Sequence, residues 1–230
     1  MKKIATTFGM LALVSVTSFS YAQQGGTTNP SGSTSQGGAM SQGGSTSLGK
    51  MSKVEFNRKN AWRAASVLAI KPTDAPLSET DKQLMLEVAL GGMMQLEVSK
   101  IAMQKATNES VRTLAQGEVD EQTGLSAKLK EIAAAKRVAL PAMPDAQTKA
   151  MISKMQGLSG AEFDRAYAQE SGVNGHQKLD KVMTMVKSNA SDSNLKALAT
   201  AAHPLVKTHL QVSQDLLRTM SSNGTSGGTK

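Results

Sequence analysis

From Ser78 to Arg137 the chain contains no proline and is apolar at helical spacing throughout. A stretch this long and this regular predicts two helices, and therefore a helical hairpin, before anything else is considered. Ser78-Glu79-Thr80-Asp81 opens the first helix with a capping hydroxyl and acid in the first turn. At about 100° per residue, Leu86, Leu90, Met93, Glu97 and Ile101 form one strip, while Leu84, Val88, Leu96, Ala102 and Met103 fall on other faces. A helix that is apolar nearly all round is buried on several sides, which sets Glu97 among apolar neighbours. Asn108 caps the second helix. Its stripe is Val111, Leu114, Ala115, Glu118, Gln122, Leu125, Leu129 and Ile132. Glu118 and Gln122 thus sit on an inward face, where an unpartnered polar group costs roughly several kcal/mol.

The rest of the chain supports the same class. Only 3% of residues are aromatic against 39% apolar, so any core is built of Leu, Ala, Met and Val, which favours helix over sheet. Met51 to Ile70 predicts a shorter amphipathic helix that docks through Val54, Trp62, Ala65, Leu68 and Ala69, with Trp62 as anchor. Pro72 and Pro76 make the following segment a connector. A short crossover helix is expected from Asp145 to Gln156, and Ser159-Gly160-Ala161-Glu162 reads as a capping box opening a third long helix. Within that helix the stripe of Phe163, Ala166, Tyr167 and Glu170 is about 170° out of phase with that of Leu179, Val182, Met183 and Val186. A bulge or break is therefore expected across Ser171–Gly175, with His176 just beyond it. The last helix carries Leu195, Leu198, Ala202, Val206, His209, Val212, Ser213, Leu216 and Met220 on one face. His203 lies about 120° away, before a Pro204 expected to kink the helix.

The ends read differently. Lys2 and Lys3 precede an apolar run to Phe19 and small residues at Ser20 and Ala22, a secretory signal peptide over 1–22. Residues 23–50, rich in Gly, Ser, Thr and Gln, predict a disordered linker; 51–76 the N-terminal helix and connector; 77–220 the main helical domain; 221–230 a loose tail. These signals place the mature chain in a periplasm, with outer-membrane association left open. The absence of cysteine excludes disulfides, thiolate metal sites and lipid attachment through an N-terminal Cys. Net charge is +8 without a dense basic run. With so few aromatic groups for stacking, this argues against nucleic acid and leaves weak association with anionic envelope surfaces.

Five segments together resemble a bacterial family, the domain of unknown function 4142: Gly91–Glu97, Leu114–Glu121, Leu158–Tyr167, Gly175–Lys178 and His203–Leu210. The resemblance covers about Leu77 to Met220. It implies an exported, all-α, ferritin-like four-helix bundle, here with an extra N-terminal helix and a short crossover helix. It also implies acidic and His groups pointing inward from four helices, a pattern that Glu97, His176 and His209 match. Where relatives show Asp-His, this chain has Glu121-Gln122, and where they show Met it has Glu118.

Two readings of these groups stand. In one, Glu97, Glu118, His176 and His209 hold a single divalent metal ion such as iron, manganese or zinc, with Gln122 and Glu121 behind them. In the other, the same groups form a hydrogen-bonded network that needs no cofactor. No His follows a Glu by three residues, so the paired motif of di-iron bundles is missing. Met93, Met94, Met103, Met183 and Met185 offer copper(I) ligands, but helical methionine is ordinarily core filler. No Gly-x-Ser-x-Gly, phosphate loop or dinucleotide fingerprint points to an enzyme.

Overall fold

The computed structural model describes residues 47–225, with side chains to 222. The expected signal peptide, most of the expected linker and the last five residues of the expected tail lie outside that range. A two-stranded antiparallel hairpin, β1 (Ser47–Leu48) and β2 (Met51–Ser52), turns at Gly49, whose φ of +63° favours glycine. Its Leu48 is fully buried, so residues 47–50, expected as the end of the linker, are part of this hairpin. All remaining regular structure among the described residues is helical. It comprises α1 (Lys53–Leu68), α2 (Glu79–Lys105), α3 (Glu109–Ala135), α4 (Ala146–Gly157), α5 (Gly160–Tyr167), a π-helical segment (Ala168–Gly175), α6 (His176–Asn189) and α7 (Ser193–Thr225). No helix among the described residues is long and apolar enough to cross a membrane.

Local chemistry explains the boundaries. Ser78 and Asp81 form a reciprocal capping box at the start of α2, and Asn108 accepts from the N–H groups of Ser110 and Val111 at the start of α3. Ser159, expected to cap α5, makes no side-chain cap bond. Gly160, at φ +58°, turns the chain into the helix instead. α3 ends with the N–H of Val138 on the carbonyl of Ala133 and that of Arg137 on Ala134, a closure that puts Arg137 at φ +58°. Pro204 sits inside a helix that runs through to Thr225, five residues beyond the expected boundary at Met220.

The two long helices α2 and α3 pack as a hairpin, and α6 packs along α7. The phase shift in the third rod is absorbed as predicted, by a π-helical segment joining α5 to α6. Each extra residue in a π turn rotates the following helix relative to the preceding one, so α5 and α6 both bury their apolar stripes.

The core is in two parts. One cluster contains Leu84, Met85, Leu129, Ile132, Met183 and Leu198. The other contains Phe56, Val98, Leu114, Phe163, Tyr167 and Val212. Along α3 the buried side chains between Ala115 and Leu125 are Glu118, Glu121 and Gln122; along α7 the buried residue between Val206 and Val212 is His209. A polar layer therefore divides the interior, and the candidate site is that layer.

The docking of α1 differs from expectation. Phe56 and Val67 are buried, whereas Trp62 is 63% exposed, and Val54 and Leu68 are also exposed. Arg63 Cζ lies over the Trp62 ring, 4.3 Å from the centroid. The helix turned its Phe56 face inward because Gly117 on α3 leaves room there. A Cβ on Gly117 would stand 2.6 Å from both Phe56 Cε1 and Asn60 Nδ2.

Candidate functional site

Glu118 is the centre of the layer. It lies midway along α3, and its carboxylate is reached from three directions. His176 Nε2 stands 3.0 Å from Oε2, His209 Nδ1 stands 2.5 Å from the same oxygen, and Gln122 Nε2 donates to Oε1 at 3.0 Å. The three residues of this Glu–His–His group are 1%, 2% and 0% exposed.

The π-helical segment orients His176. Its Nδ1 lies 3.1 Å from the carbonyl of Ser171 and 2.9 Å from that of Gly172. A carbonyl only accepts, so Nδ1 carries a proton. The ring is thereby turned with Nε2 on Glu118. Gln95 of α2 closes the other side: it donates to the Ser171 carbonyl at 3.0 Å and accepts from the Ser171 hydroxyl. Beside it, Ser99 and the Tyr167 hydroxyl share a bond of 2.8 Å.

The charges follow from these contacts. Burial alone would raise the Glu118 carboxyl, but the two imidazoles outweigh it and hold it well below the usual carboxylate range. Burial likewise opposes a charge on His176, and is outweighed by the Glu118 charge and by the bonds to Glu118, Ser171 and Gly172, so its pKa is raised. Both ring nitrogens of His176 face acceptors, Nδ1 the two carbonyls and Nε2 the carboxylate, which is the arrangement of an imidazolium–carboxylate pair. Burial, and then the Glu118 charge, push Glu121 well above the carboxylate range. They also push up the Tyr167 hydroxyl.

His209 joins two neighbourhoods. Nδ1 faces Glu118, while Nε2 is 3.1 Å from Asn60 Oδ1 and 3.3 Å from Glu121 Oε2. Phe56 packs against the ring, with centroids 5.1 Å apart.

Of the predicted site residues, the structure brings Glu118, His176 and His209 together, with ligand-type atoms all within 4.8 Å of one another. Gln122 and Glu121 lie beside them. Glu97 does not join them. It is partly exposed, pairs with Lys100 at 2.7 Å, and lines a surface groove of ≈ 440 Å³ between α2, α3 and the Leu140–Pro144 segment. The inward face of α2 is the one bearing Gly92, Gln95 and Ser99. Because α2 is apolar on every side, the strip containing Glu97 looked as internal as this one. His203 pairs with Asp180 at 2.7 Å, away from the cluster. Of the methionines named above, Met183 is buried in one core cluster and Met185 is exposed.

Sequence reasoning missed Gln95, Ser171 and Asn60. Ser171 was within the predicted break and could have been found there. Gln95 adjoins the Glu97 strip without belonging to it, and nothing in its spacing marks it. Asn60 was hidden by the assumption that the Trp62 face docks.

A family model described as "Domain of unknown function (DUF4142)" matches residues 68–216. That span includes α2 to α6 and most of α7, but almost none of α1. No curated protein and no solved structure matches the chain.

Proposed function

The chain belongs to the family of domain of unknown function 4142, and from that premise we propose that it is an exported binding or structural module of the periplasm. In this reading the long helices make a ferritin-like four-helix bundle, with α1 as an added helix and α4 as the crossover. The Glu118–His176–His209 network holds its register. The supporting observation is the use of Glu118: one buried carboxylate takes bonds from its own helix, from the π-to-α6 junction and from α7. A slip of any of these elements by one residue would strand a buried charge, at a cost of roughly several kcal/mol. The signal peptide reading supports export, and the positive charge supports weak attraction to anionic envelope surfaces, without nucleic acid as partner.

Histidine NMR tests the network. At neutral pH the His176 Nε2–H and His209 Nδ1–H protons should exchange slowly and be lost in Glu118→Gln. Rapid exchange in the unmutated chain, together with undiminished stability of Glu118→Gln, would refute the reading.

A second reading has one observation in its favour. The 4.8 Å convergence of Glu118, His176 and His209 suits a mononuclear Fe, Mn or Zn centre in a redox or stress-protection protein. A metal there would have to replace the hydrogen bonds that already fill Glu118.

A further inference from the structure

Four buried side-chain atoms among the described residues lack a hydrogen-bond partner: Asn60 Nδ2, Thr113 Oγ1, and both carboxyl oxygens of Glu121. Three of the four belong to residues whose other contacts converge on one atom, Nε2 of His209. Glu121 is the sharpest case. Its side chain is 3% exposed, and neither oxygen is bonded, whereas every neighbour around Glu118 is satisfied. Buried polar groups in folded proteins are nearly always paired, so an unpaired carboxyl beside an imidazole nitrogen points to a missing partner.

The imidazole is set up for that partner. Glu118 accepts from His209 Nδ1 at 2.5 Å, which fixes the ring, and Nε2 on its far side donates to Asn60 Oδ1 at 3.1 Å, a proton that a metal ion would displace on binding. Metal-binding histidines are commonly held this way, by a carboxylate on the second ring nitrogen. The spacing also fits. With metal–ligand bonds of about 2.0–2.2 Å, neighbouring ligand atoms stand about 2.8–3.6 Å apart, depending on whether the angles are octahedral or tetrahedral. Asn60 Oδ1 and Glu121 Oε2 stand 3.1 Å and 3.3 Å from Nε2.

We propose that His209 Nε2, the Glu121 carboxylate and Asn60 Oδ1 bind one divalent first-row metal ion at the seam between α1 and α3. The proposal rests on the network reading, because it needs Glu118 as the hydrogen-bonding partner of His209. It removes the cation from Glu118 and His176 and places it on the other side of the His209 ring. One imidazole with two oxygen donors suits Zn²⁺, Mn²⁺ or Fe²⁺. Asn60 is only half-buried, so the ion enters at the edge of α1 without unfolding the interior. Gly117 makes the site possible, since only a residue without Cβ lets Asn60 and Phe56 approach α3 so closely. Asn60 also lies outside the span matched by the family model. The ligand set therefore depends on a helix outside the matched span, and metal binding tightens the docking of that helix.

Calorimetric titration of the purified full-length chain with zinc chloride, repeated with manganese chloride, tests the site. One ion should bind per chain. Glu121→Gln should weaken binding at least about tenfold, His176→Gln should retain it, and Asn60→Asp should tighten it by supplying a second carboxylate. Circular dichroism checks that each variant is folded. If His176→Gln does not fold, the Glu121 and Asn60 variants decide. Binding that survives Glu121→Gln but is lost in folded His176→Gln would overturn the proposal in favour of a centre on Glu118. So would failure of the unmutated chain to bind either ion. The first result would also replace the network reading by the Glu118 centre; failure to bind either ion would leave the network reading intact, and that reading is tested separately by the stability of Glu118→Gln.

Discussion

His176 and Glu118 meet at 3.0 Å across the interior, one at the end of the π-helical segment and the other in the middle of α3. The contact requires the π segment. Its Ser171 and Gly172 carbonyls hold His176 Nδ1, and without that hold the ring could turn away from Glu118. The helix irregularity and the buried charge are thus two parts of one device.

Replacing Glu118 by Gln removes the charge and leaves an amide against two imidazole N–H groups. Breaking a buried pair from one side costs about 3–5 kcal/mol, and urea unfolding should show a loss of that order. A double-mutant cycle of Glu118→Gln with His176→Gln should give a coupling of at least about 1 kcal/mol.

Asp81 supplies an acid-sensitive contact at the far end of α2. Burial acts to raise its carboxyl, but bonds from the Ser191 and Ser78 hydroxyls and the Ser191 and Asp192 backbone lower it from 3.8 to about 2. A lowered carboxyl stabilises the fold above its unfolded value and loses that contribution as pH falls through the folded one. The contribution is at most about 2 kcal/mol. Asp81→Asn should be less stable than the unmutated chain at neutral pH and should converge with it near pH 2. Thermal melts at a series of pH values measure this.

Trp62 and Phe56 should behave in opposite ways. Trp62→Ala should change stability by no more than about 0.5 kcal/mol, because the ring is largely exposed. Phe56→Ala should cost about 3–5 kcal/mol and release α1 to limited proteolysis.

Arg137 occupies a left-handed position with φ +58°. Such a conformation costs a side-chain-bearing residue about 1–2 kcal/mol. Arg137→Gly should therefore stabilise the chain by about 1 kcal/mol, read as a raised melting temperature.

The helical class, the hairpin of α2 and α3 and the break before His176 could all be read from local features. Each depends on neighbours within a few turns: apolar spacing, caps, and a phase shift between two stripes on one rod. Glu118, Gln122 and His209 were legible for the same reason, as polar groups interrupting well-defined apolar stripes. Glu97 and Trp62 were misplaced because α2 and α1 offer more than one apolar face. Which face turns inward is settled by the partner surface, not by the helix. On α1 that partner is Gly117, whose missing side chain admits Phe56 and Asn60. The periodicity of one helix thus determines that a stripe will be buried. Only the packed neighbours decide which polar atoms meet beneath it, and so the pairing of Asn60, Glu121 and His209 exists in the tertiary structure alone.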